Sequence, residues 1–213
     1  MSDQEEKKRI IDLGSRKFFE LGVYRVTIDE IAEELGMSKK TIYKYFASKE
    51  DLILAIVHER MRRIRDEMTK LLHSSEPFEA KLTSLLLIVG RQIRYITPVF
   101  QKDLMRMSPT VWKEIDTFRR EQVLGQLSQL FEQGQRDGYF RNDVNIKILQ
   151  LIIVSAAQNI VNPAVLSEHS FSAVEAFQEI IKTVFAGSLT NEARARIHLF
   201  DEQFEKQLAQ RTI

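Results

Sequence analysis

Apolar residues recur at helical spacing along most of the chain. Ile10, Leu13, Phe18 and Leu21 form one stripe. Ile53, Ile56, Ile64, Met68 and Leu71 form a second, and Leu82, Leu85, Leu86, Val89, Ile93 and Ile96 a third. Steps of three and four place such side chains on one face of an α-helix. The pattern continues from Pro109 to Asp137 through Trp112, Ile115, Phe118, Leu127 and Leu130. Asn145 to Val161 is apolar nearly all round, and Ser172 to Leu189 carries a wide stripe through Phe177, Ile181 and Phe185. A last amphipathic segment carries Ile197, Phe200, Phe204 and Leu208. No alternating strand pattern interrupts these stripes, so the expected fold is all-α. Thr97-Pro98 and Ser108-Pro109 read as helix starts, with an N-cap hydroxyl followed by proline in the first turn. Gly138 suits a helix C-cap. Pro163, after Asn162, is expected to end a helix.

The segment from Gly22 to Lys49 differs, with short helices and crowded turns. Thr27-Ile28-Asp29-Glu30 is a capping box, in which hydroxyl and carboxylate each satisfy the other residue's amide. The helix it opens turns Ile28, Ile31, Ala32 and Leu35 inward and ends at Gly36. Ser38 then caps a second helix, Lys39 to Phe46, one tight turn away, which is a helix-turn-helix arrangement. Ile42 and Phe46 share a face and are expected to pack on Ile31 and Leu35. That leaves Lys39, Lys40, Tyr43 and Lys44 outward. From Gly36 to Lys49 there are four Lys and no acid. Lysines with tyrosine hydroxyls match a phosphate backbone, and a helix of this size fits the major groove. Lys49 sits in the first turn of the helix capped by Ser48, where the dipole disfavours a cation. An external anion is one use for it.

Composition makes this cluster more telling. The 213 residues hold 31 Lys and Arg against 30 Asp and Glu, so the basic run stands out in a balanced chain that is neither a polycation nor an acidic tail. Eight Gly and four Pro leave few breakers, which favours long helices over a β-sandwich or a Gly-rich nucleotide-binding fold. The absence of Cys excludes disulfides, zinc–thiolate sites, iron–sulfur clusters and a Cys nucleophile. The start of the chain lacks a signal-peptide core. The apolar runs Leu85–Val89 and Leu149–Ala157 are shorter than the ~20 residues a bilayer requires. A cytoplasmic protein without a membrane partner is expected. His58, His73, His169 and His198 are scattered, with Ala55, Lys70, Leu166 and Ala195 three residues before them, so no Glu-x-x-His pair forms. Phosphate loops and hydrolase or zinc-protease motifs are also missing. No enzymatic activity, cofactor or metal is expected.

The run from Thr27 to Leu52 resembles the DNA-binding signature of the tetracycline-repressor (TetR) family. Thr27, Ile31-Ala32, Gly36-Met37-Ser38, Thr41-Ile42-Tyr43, Tyr45-Phe46 and Lys49-Glu50-Asp51-Leu52 fall at the family's spacing. Ile10, Ile11, Phe18 and Gly22 resemble its first helix, and the likeness covers about the first 55 residues. It implies a three-helix helix-turn-helix domain over 1–50 and a larger helical effector-binding and dimerisation domain over 51–213. The implied function is a ligand-responsive homodimeric regulator, usually a repressor, released from a roughly palindromic operator by a small hydrophobic or amphipathic effector. The resemblance makes Lys39 to Phe46 the recognition helix. Thr27, Tyr43, Tyr45 and Lys49 match positions that contact phosphates, and Lys40 and Lys44 positions that reach base edges. Ser38, Lys39 and Thr41 complete the expected DNA-binding set. Three residues depart from the pattern: Tyr45 where His is usual, Lys40 where a small residue is common, and Gly14 in place of Ala. The competing reading is a helical ligand-binding or scaffold protein with a non-functional helix-turn-helix.

Two further groups follow from the long helices. Tyr95, Phe100, Leu104, Met105, Met107, Trp112 and Phe118 read either as ordinary core or as lining of an apolar effector pocket, with Gln158 to orient a ligand. Ile153, Ala157, Val161, Phe177, Ile181 and Val184 are expected at the dimer interface, because a helix apolar on most sides requires cover on both.

Overall fold

The computed structural model describes residues 2–95, 97–197 and 204, apart from the side chains of residues 94, 95, 119, 123, 124 and 163. Ile96, His198, Phe200, Leu208 and the side chain of Tyr95 therefore lie outside the described part. The fold is all-α, with an N-terminal helix-turn-helix followed by further helices. Among the described residues, the only non-helical pairing is an isolated bridge between Phe140 and Leu189.

Packing divides the chain into two compact units, Met1–Ile64 with Ile96–Asp116, and Arg65–Tyr95 with Thr117–Ile213. This cut differs from a functional division at residue 50. The first unit starts with α1 (Asp3–Leu21), α2 (Ile28–Leu35) and α3 (Lys39–Tyr45), followed by the first part of α4 (Lys49–Leu72). Ile10, Leu13, Phe18, Ile31, Ile42, Phe46, Leu52, Ile53 and Ile56 form its core. A Cβ added at Gly14 would lie 3.0 Å from the Ile56 Cδ1 methyl, so an alanine here would require that side chain to give by a few tenths of an ångström.

Helix α6 (Pro98–Met107) belongs to this unit because it docks on α1. Phe100 lies 4.3 Å from Phe19, centroid to centroid. Thr97 caps α6 and donates to the Phe19 carbonyl at 2.6 Å, and the Asp103 carboxylate accepts from the Tyr24 amide at 3.1 Å. Gly22 makes the approach possible. Its φ is +86°, and a Cβ there would stand 2.5 Å from Val99 and 2.7 Å from Asp103.

The second unit contains α5 (Phe78–Tyr95), α8 (Leu124–Arg136), α9 (Ile146–Ile160), α10 (Pro163–Glu168), α11 (Ala173–Ser188) and α12 (Asn191–Arg196). Its centre is aromatic. Centroid to centroid, Phe131 lies 5.0 Å from Phe140 in a tilted contact and 5.7 Å from Phe185 edge-on, and Phe78 lies 4.2 Å from Tyr139. Helix α9 packs on α8 and α11. Two details differ from expectation. The helical stretch from Pro109 comprises α7 (Pro109–Phe118), a π-helical turn (Arg119–Val123) and α8. Asn162 and Pro163 open a new short helix as well as closing the old one, because the Asn162 side chain caps α10 at the Ala164 and Val165 amides.

Candidate nucleic-acid interface

The hairpin is built by local hydrogen bonds that its sequence specifies. The Thr27 hydroxyl accepts from the Glu30 amide at 3.2 Å, and the Thr27 amide donates to Glu30 at 2.7 Å. The bond from the Thr27 amide is the largest influence holding the Glu30 carboxyl below its ordinary range, with the Thr27 hydroxyl second. Gly36 ends α2 in the left-handed region at φ 64° and ψ 31°. Ser38 caps α3, accepting from the Thr41 amide at 3.0 Å. Burial of Ile42 and Phe46 then fixes which side of α3 faces water.

The nine expected DNA-binding residues separate into groups. Lys39, Lys40, Tyr43 and Lys44 are exposed on α3. Lys39 pairs with Asp29 of α2 at 2.9 Å, and Lys44 with Asp3 of α1 at 3.1 Å. Both ammonium groups are held above their ordinary range, chiefly by hydrogen bonds to those acids. The hydroxyls of Thr27 and Ser38 are committed to caps, and Thr41 is half-buried beside Ser38. Tyr45 turns toward α1, its hydroxyl 2.7 Å from Glu6 and 3.0 Å from Asp3. Lys49 is half-buried, 5.7 Å over the Phe18 ring, and desolvation pushes its ammonium down despite Asp103 and Glu30.

The other two groups of candidates are also dispersed. Phe100 and Leu104 are buried in the first unit, Met107 and Trp112 are half-buried, and Met105 is exposed. Phe118 is buried in the second unit, and Gln158 is exposed on α9. Of the six residues assigned to a dimer interface, Ile153, Phe177 and Ile181 are buried inside a single chain, while Ala157, Val161 and Val184 are half-buried. Helix α9 packs on α8 and α11 and buries its Ile153 side within the chain. The apolar side chains it leaves in water are Ile148, Leu151 and Ile152, at 56%, 56% and 49% exposure.

Sequence reading missed the partners of this site. Asp3 and Glu6 look like any first-turn acids that favour a helix N-terminus, and Asp103 has no local signal at all. All three act on residues roughly 40 to 80 positions away. Among the described residues, no cluster of three or more His, Asp or Glu is arranged to hold a metal, and no helix is long and apolar enough to cross a membrane.

Residues 10–56 match the family model described as bacterial regulatory proteins, tetR family. Over 174 residues the chain is 22% identical to an uncharacterised HTH-type transcriptional regulator of Bacillus subtilis, spanning 79% of this chain and 88% of that one. A transcriptional regulator from Saccharomonospora viridis, solved in complex with choline, superposes with a TM-score of 0.70 at 18% identity over 88% of this chain and 100% of that chain. FadR from B. subtilis, in complex with stearoyl-CoA, gives 0.60 at 18% identity over 84% and 98%. At these identities the two structures establish a shared fold.

Proposed function

Because this chain belongs to the tetR family of bacterial regulatory proteins and is a ligand-responsive transcriptional regulator, we propose that the exposed face of α3 reads operator DNA and that the chain represses transcription until an effector releases it. Residues 1–50 are the reading head and 51–213 the effector and dimerisation region. The observation that carries this is the triad Lys40, Tyr43 and Lys44, at positions i, i+3 and i+4 and turned to solvent by the buried Ile42 and Phe46. A scaffold with an idle helix-turn-helix has no use for that face. Lys40 and Lys44 supply donors for base edges, and Tyr43 and Lys39 supply contacts to phosphate. Lys49 opens α4 and Thr27 caps α2, each at a helix N-terminus.

Two copies pair through the Ile148, Leu151 and Ile152 face of α9. The paired heads then stand about one DNA turn, or a small multiple of it, apart, and the operator is roughly palindromic. The protein works where the DNA is, in the cytoplasm. Its two structural relatives were solved with ligands of opposite character, a small cation and a long acyl thioester. The apolar and Met-rich residues around α6 fit a hydrophobic or amphipathic effector. Helix α6 is the handle on the head, because Asp103, Thr97 and Phe100 fasten it to α1. An effector that favours one placement of α6 weakens operator binding, and operator weakens effector binding by the same factor.

Titration of Lys40→Ala and Lys44→Ala against operator DNA selected from random duplexes, at several salt concentrations, tests the reading. Losing a base contact costs about 1–3 kcal/mol and relaxes preference at one position. Losing a phosphate contact flattens the salt slope by about 0.9. Parent-like binding by both variants would overturn it.

A further inference from the structure

Two acids outside the helix-turn-helix reach the end of α3. Asp3 and Glu6 lie three residues apart in the first part of α1 and converge on Tyr45 and Lys44. The Tyr45 hydroxyl is 2.7 Å from Glu6 Oε2 and 3.0 Å from Asp3 Oδ1. The Lys44 ammonium is 3.1 Å from Asp3 Oδ1, 3.5 Å from the Tyr45 hydroxyl and 5.0 Å from the centre of its ring. A phenol has one proton, so it serves one carboxylate at a time. The shorter bond gives it to Glu6 and leaves Asp3 to accept from Lys44. The charges agree with that division. The Lys44 hydrogen bond is the largest influence holding the Asp3 carboxyl down, and the Glu6 bond is the largest one raising the Tyr45 phenol, to about 12.

The cluster is not what folds the head. Ile42 and Phe46 hold α3 by burial, and Ser2 with Glu5 caps α1 without help from Asp3 or Glu6. The Lys44–Asp3 pair is exposed, where ion pairs contribute little to stability. Its effect is directional. A free lysine ammonium is a point charge with three rotating donors, indifferent to which phosphate it meets. Here one donor is committed to Asp3 and a longer one leans on Tyr45. The four-carbon stem is ordered before DNA arrives, and part of the charge that would attract any duplex is already answered.

We propose that Asp3 and Glu6 are positioning residues for DNA recognition: through Lys44 and Tyr45 they aim one lysine donor at the groove and lower the affinity of the head for arbitrary DNA. Tyr45 is then a strut between helices and not a phosphate contact. The proposal rests on α3 being the DNA-reading helix.

The test compares wild type, Asp3→Asn, Tyr45→Phe, Lys44→Ala and Glu33→Gln on two duplexes, an operator selected by the wild-type chain and a random sequence, across a range of salt. Glu33 is an exposed acid on α2 and controls for bare charge. Asp3→Asn tightens binding to the random duplex and lowers the operator-to-random ratio by roughly two- to fivefold, the scale of one exposed ion pair. Tyr45→Phe lowers the ratio without changing the salt slope. Glu33→Gln shifts both duplexes together. In a Lys44→Ala background, Asp3→Asn no longer changes the ratio, as coupling through that lysine requires. If Asp3→Asn behaves like Glu33→Gln, or keeps its full effect on the ratio without Lys44, the proposal is wrong. If Lys40→Ala and Lys44→Ala both bind operator like the parent, it is the DNA-reading role of α3 that fails.

Discussion

Helices α3 and α9 each leave a triad in solvent at the same spacing, and the two triads have opposite chemistry. On α3 the residues are Lys40, Tyr43 and Lys44; on α9 they are Ile148, Leu151 and Ile152. Both helices bury the other side, α3 through Ile42 and α9 through Ile146, Leu149 and Ile153. The difference lies in what each exposed face gains from a partner. Lysine and tyrosine hydroxyls are well solvated in water and gain most from a polyanion, where counterions are released. Each large aliphatic side chain gains about 1.5–3 kcal/mol when fully covered, so the α9 face is stabilised by another apolar surface. One geometry therefore presents two kinds of surface, and side-chain polarity alone separates them.

The sharpest way to break this comparison is to charge the α9 triad. The double variant Ile148→Asp, Ile152→Asp is expected to stay folded, sediment as a monomer, and lose operator affinity by roughly 10²–10⁴, because two heads no longer bind as one unit. Ile153→Asp is expected to unfold the chain instead, since it puts a charge into a site only 5% exposed. A double variant that sediments as a dimer removes α9 from the interface.

A smaller effect sharpens the contrast. Ser38 caps α3 and Asn145 caps α9 through their side chains. Replacing either by Ala costs about 1 kcal/mol. In the seven-residue α3 the loss frays the reading face, so Ser38→Ala weakens operator binding as well as lowering the melting temperature. In the fifteen-residue α9, Asn145→Ala lowers melting and leaves operator affinity per dimer unchanged. Calorimetry with a parallel DNA titration separates the two.

The smallest effect is a titration. The Tyr45 phenol is raised to about 12, chiefly by its bond to Glu6. A raised folded value means the neutral phenol is favoured in the native head. Its contribution is complete below the ordinary phenol value of about 10 and is lost as pH rises from there through about 12. Tyrosinate absorbance of wild type minus Tyr45→Phe is expected to show one phenol ionising late. Ionisation at the ordinary value would mean the bond to Glu6 does not persist in solution. The α9 triad has no titrating atom and offers no matching step.

Much of this was legible in the sequence, because much of it is local. The capping box at Thr27 and Glu30, the left-handed Gly36 and the Ser38 cap all act within three or four residues, and hydrophobic period alone gave the helical stripes. The buried side of α3 followed from Ile42 and Phe46 by the same logic. Helix α9 was harder to read. A helix apolar on most sides must be covered on most sides, but nothing local says which side its own chain covers. Packing against α8 and α11 took the Ile153 side and left Ile148, Leu151 and Ile152. Pairing across distance was invisible for a related reason. Asp3 meets Lys44 and Tyr45, and Asp103 meets Tyr24, only after α1, α3 and α6 have been brought together by their buried faces. The sequence by itself determined the elements, their caps and the chemistry on offer at each turn, because those depend on neighbours along the chain. The tertiary structure alone decided which lysine meets Asp3 and which isoleucine stays wet, because both depend on surfaces far apart in sequence whose burial is settled only when the helices pack.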